Sequence, residues 1–70
     1  MNEAALTTEQ LARRWGVKPS TIRGHRYRGT GPKFAEIPRL GRPVASPKVL
    51  YPLHDVLAFE EANGIVPVEP

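Results

Sequence analysis

The chain has no cysteine and only two histidines, His25 and His54, so neither a disulfide framework nor a Cys/His zinc site can staple it. Aromatic residues are few, and no apolar run approaches the roughly 20 residues needed to span a bilayer. The stretch MNEAALTT lacks the basic-then-apolar pattern of a secretory signal. The chain therefore reads as soluble and cytoplasmic, with no membrane partner. Its 70 residues make one domain with a small core, since a chain of about this size buries only about 60% of its unfolded surface. A closed catalytic pocket is not expected. There is no phosphate loop of the GxxxxGKS kind and no triad-like grouping of serine, histidine and acid, and Asp55, Glu60 and Glu61 have no histidine partners at metal spacing. No catalytic residue, metal or cofactor is expected, and the protein reads as a non-enzyme.

The most informative scarcity is of charge of one sign. Between Glu9 and Glu36 stand Arg13, Arg14, Lys18, Arg23, Arg26, Arg28 and Lys33 with no acid among them, whereas Asp55, Glu60, Glu61 and Glu69 follow Val49 with no lysine or arginine. The net charge of +3 averages two unlike halves. One half is suited to a polyanion.

Thr7 followed by Gln10 has capping-box spacing, with Leu6 and Leu11 at the hydrophobic-staple positions. Leu11, Ala12 and Trp15 then mark one face of a helix over Thr8 to Trp15, and Gly16 stands where a left-handed cap belongs. Pro19 suits the first turn of a second helix running to about Arg28. On that helix Ile22 is the only aliphatic residue, with His25 and Arg26 on the same side, so most of its surface must face something polar. Gly24 in its interior costs about 1 kcal/mol relative to alanine, so either the helix frays early or a backbone approaches there. RGTGP ends the helix.

Two extended runs, Lys33 to Ile37 and Val49 to Tyr51, read as an antiparallel ribbon with a long tip that carries Arg39, Arg42 and Lys48 and no acid. From Pro52, the apolar residues Leu53, Val56, Leu57 and Phe59 predict a third helix ending at Asn63 and Gly64, with Glu60 and Glu61 outside. Its stripe is expected to close a core of Leu11, Trp15, Val17, Ile22 and Tyr51. The tail IVPVEP is extended and either packs back or meets a neighbouring molecule. The expected class is mainly α with a small two-stranded β wing and three helices. Residues 1–5 are read as a disordered lead-in, 6–63 as the domain with a wing over about 33–51, and 64–70 as the tail.

The string LTTEQLARRWGVKPSTIRGHRYRGTGPKF, with VLYPLHDVLAFEEA after the loop, resembles the small winged helix-turn-helix proteins of the excisionase and AlpA type, related to the DNA-binding domain of MerR regulators. The resemblance spans residues 6–62. Three departures stand out: Lys18 where the family often has a capping serine, His25 where it commonly has tryptophan, and a lengthened wing, PRLGRPVASPK.

The resemblance implies that the helix from Pro19 to Arg28 enters the major groove of double-stranded DNA, while the wing reaches phosphate or an adjacent minor groove. The recognition-helix candidates are Lys18, Ser20, Thr21, Arg23, Gly24, Arg26, Tyr27 and Arg28. Those of the wing are Lys33, Arg39, Arg42 and Lys48. Arg23 is the leading contact, to guanine by the commonest specific pairing or to a phosphate. Lys18, Arg26 and Lys33 read as phosphate-positioning cations. Tyr27 either bonds a phosphate or packs on the wing, and His25 and Trp15 read as packed residues. Arg13 and Arg14 lie on the exposed side of the first helix, solvated or against phosphate.

The implied role is an excisionase-type recombination factor of prokaryotic or phage origin, nucleoid-associated, which bends DNA cooperatively with further copies and works with an integrase. A small transcriptional regulator would use the same surface. An interaction module placing the basic face on an acidic protein is the rival from a different class, and RNA binding is disfavoured by the lack of an aromatic stacking platform beyond Tyr27 and Phe34.

Overall fold

Helix α1 (Thr8–Trp15) is fixed at both ends by its own residues. Gln10 N–H donates to Thr7 Oγ1 at 3.1 Å and Thr7 N–H to Gln10 Oε1 at 2.9 Å, which completes the capping box. Gly16 stops the helix at φ 70°, a left-handed conformation that costs glycine little. A Cβ at Gly16 would also lie 3.0 Å from Cγ2 of Val68. The turn through Lys18 leads into α2 (Pro19–Arg28), which packs against α1. These elements belong to a computed structural model that describes residues 5–37 and 48–69.

The sheet has three strands where the sequence predicted two: β1 (Ala5–Thr7), β2 (Ala35–Ile37) and β3 (Lys48–Pro52), antiparallel in the order β1-β3-β2. Strand β1 was hidden because three residues carry no readable alternation, and Leu6 and Thr7 already had roles as staple and cap. It forms because β3 offers an edge, with Leu6 opposite Tyr51 and Thr7 opposite Leu50. Ala5 is thus part of the sheet rather than of a disordered lead-in. The chain passes from Pro52 directly into α3 (Leu53–Asn63). Three helices and a small antiparallel sheet are therefore the architecture of the described residues.

The core comprises Leu11, Ala12, Ile22, Tyr51 and Val56, with Leu6, Trp15 and Val49 packed against it. Two residues expected in the core are exposed instead, Val17 at 39% and Leu57 at 48%. A third expectation is reversed, because Glu60 is buried rather than outside. The reason is helical spacing: Glu60 lies four residues after Val56 and shares its stripe, whereas Leu57 lies off it.

Burying Glu60 requires partners. Arg14 grips it through Nε at 2.6 Å and Nη2 at 3.0 Å, and Trp15 Nε1 donates a third bond at 2.6 Å. Hydrogen bonds from Arg14 hold the Glu60 carboxyl below its ordinary value despite burial, and the same pairing raises Arg14. Arg14 is accordingly a strut between α1 and α3. The tail folds back onto the same place, with Val68 and Glu69 N–H both donating to the Arg14 carbonyl at 2.8 and 3.1 Å.

Candidate nucleic-acid interface

Helix α2 has two unlike sides. Inward, Ile22 is buried and Arg26, one turn on, is half-buried. Arg26 Nη1 donates to Thr8 Oγ1 at 3.2 Å and to the Tyr51 hydroxyl at 3.1 Å, tying α2 to the start of α1 and to the central strand. Its guanidinium carbon lies 5.6 Å from the Tyr27 ring centroid and 5.7 Å from that of Phe34, within cation–π range. Burial works against the Arg26 charge, and the bond to Tyr51 leads the contacts that offset it, so the charge is held more firmly than usual. Arg26, expected as a phosphate-positioning cation, thus also braces the helix.

Outward, Ser20, Thr21, Arg23, Tyr27 and Arg28 are exposed, Tyr27 at 79%. Ser20, Arg23 and Tyr27 follow the i, i+3, i+7 spacing of one face. Tyr27 does not pack its ring away. Of the two sequence expectations for Gly24, early fraying does not hold, since the helix runs on to Arg28. The Arg28 guanidinium lies over Gly24, with Nη1 3.2 Å from where a Cβ would stand.

The ends of α2 also differ from those of α1. Lys18 is the N-cap and makes no side-chain capping bond. No acid stands in the first turn, while His25, Arg26 and Arg28 crowd the last, where cations complement the helix dipole. Gly29 closes the helix, and the loop is tied back by Thr30 N–H to the His25 carbonyl at 2.9 Å and by His25 Nδ1 with Thr30 Oγ1 at 2.7 Å. His25 is half-buried, beside Trp15 and Phe59 in an apolar hollow. This fits the packed role read from its sequence position.

Lys33 and Lys48 are exposed beside this surface. Arg39 and Arg42 fall outside the described residues, as does most of the wing tip. A polar depression of about 240 Å³ brings together residues that are distant in sequence: Arg23 and Arg26 from α2, Lys48 from β3, and Thr7, Thr8 and Glu9 from the start of α1. Arg23, Arg26 and Lys48 have no carboxylate within ion-pair distance among the described residues. Sequence reasoning named these three cations but not Glu9, whose position on the first turn of α1 carries no signal of what it faces. Also among the described residues, no cluster of His, Cys, Asp and Glu suits a metal ion and no helix is long and apolar enough to cross a membrane. Compared with protein-family models, curated proteins and solved structures, the chain matches none.

Proposed function

We propose that the chain is a sequence-specific double-stranded DNA-binding protein of winged helix-turn-helix architecture. In this reading α2 enters the major groove, and β2 and β3 belong to the wing. One observation carries it: the outward face of α2 holds Ser20, Thr21, Arg23, Tyr27 and Arg28, with no acid anywhere on the helix. A helix selected for stability alone would have a capping side chain, an acid in its first turn and ion pairs one turn apart. Helix α2 has none of these among the described residues, and the bracing of Arg26 fixes its inward side while leaving the outward side open to a duplex.

Lys18, Lys33 and Lys48, with Arg39 and Arg42 on the wing, supply phosphate contacts that set affinity and register. The resemblance of residues 6–62 to excisionases favours a recombination role beside an integrase, with several copies bound side by side. Selection from a random duplex library at about 0.15 M salt, followed by sequencing, tests the reading. A recovered motif, above all one in tandem, supports it, and unselected sequence leaves only electrostatic attraction. An integrase encoded next to the gene supports excision, and a divergent promoter supports a transcriptional role instead.

A further inference from the structure

We infer that Arg23, Arg26 and Lys48 form a seat for a single backbone phosphate of the duplex, and that Glu9 on its rim weakens the occupancy of that seat. The inference rests on the DNA-binding reading and makes one of its assignments specific. An arginine on the outward face of a recognition helix reads a guanine when its guanidinium is free to extend into the groove. Arg23 instead shares the depression between α2 and β3 with two further cations from different elements. Three such charges in one hollow, none paired with a carboxylate among the described residues, cost electrostatic repulsion in the free protein. An anion bound between them removes that cost.

The hollow suits a phosphodiester. Its volume of about 240 Å³ is several times the roughly 30 Å³ share of one water, and its donors are the fork of Arg23 and the mobile ammonium of Lys48. Arg26 is already held at Nη1 by Thr8 and Tyr51, so its charge is pre-positioned and the seat loses little side-chain entropy when filled. Arg23 is then a positioning residue, and base reading falls to Ser20, Thr21, Tyr27 and Arg28 on the same face. Glu9 lines the same hollow without an ion-pair partner among the described residues. Its carboxylate opposes the phosphate directly.

The test uses the full chain and the duplex recovered by selection. Affinities are measured between about 0.05 and 0.2 M salt for the unaltered protein, Arg23→Ala, Lys48→Ala, the double variant and Glu9→Gln. Arg23 and Lys48 are exposed, so the alanine variants keep the fold, and thermal melts verify this. The seat predicts that each single alanine variant weakens binding about tenfold with the selected motif retained, and lowers the salt slope by about one. The double variant should lose less than the product of the two, because both lose the same phosphate. Glu9→Gln should tighten binding severalfold. A changed base preference in Arg23→Ala, independent losses in the double variant, or unchanged affinity in Glu9→Gln would each overturn the seat while leaving DNA binding intact. Failure of the unaltered protein to select any motif would overturn the reading beneath it.

Discussion

Helices α1 and α2 each carry two or more arginines, yet they use them in opposite ways. On α1, Arg14 is consumed by Glu60, and the helix has a full capping box and a glycine stop. On α2, only Arg26 turns inward, no side chain caps the start, and no acid balances the rest. One helix is built to stand within the domain. The other is held in place by Ile22 and Arg26 and leaves its remaining cations without a carboxylate partner among the described residues, an arrangement that the proposed function accounts for and stability does not.

The contrast breaks most severely at Glu60. Glu60→Gln leaves the Arg14 guanidinium without its counter-charge and should cost about 3 kcal/mol, read from urea unfolding, with DNA affinity per folded molecule unchanged. A large loss of affinity in the folded fraction would mean that the α1–α3 strut also shapes the interface. The pairing also has a pH signature. Because the folded-state pKa of Glu60 is depressed, its contribution is complete above the ordinary value of 4.5 and is lost as pH falls through the lower folded-state value. Denaturation midpoints between pH 7 and pH 2 should therefore drop more for the unaltered protein than for Glu60→Gln.

Tyr51→Phe comes next, removing the hydroxyl that accepts from Arg26 and costing about 1 to 3 kcal/mol. Here stability and DNA binding should fall together, because the same bond braces α2, the helix proposed to enter the groove. Lys18→Ser should separate the two properties. A serine N-cap stabilises α2 by about 1 kcal/mol, while loss of the lysine lowers DNA affinity and the salt slope by about one. Tyr27→Ala has the smallest effect on folding, within about 0.5 kcal/mol for so exposed a residue, and should still weaken DNA binding. Normal binding by that variant would remove Tyr27 from the interface.

Local signals account for what was legible in the sequence. The capping box, Gly16, Pro19 and the turn after Arg28 fixed the bounds of α1 and α2, because each acts within one turn of itself. Charge asymmetry singled out α2. What could not be read needed a partner far along the chain: β1 depends on β3, and Arg14 meets Glu60 across 46 positions. A partial signal existed, since Arg26 and Glu60 each lie four residues after a fully buried aliphatic, Ile22 and Val56. A charge one turn beyond a buried anchor is aimed inward and must find a partner there. The same rule leaves Ser20, Arg23 and Tyr27 outward.

Amide NMR shifts on titrating the selected duplex test the division between the two helices most directly. Perturbations should concentrate in Lys18–Arg28 and around Lys48, with α3 and the Arg14–Glu60 strut nearly silent. Perturbations confined to α3 and the tail, with α2 unaffected, would contradict that division.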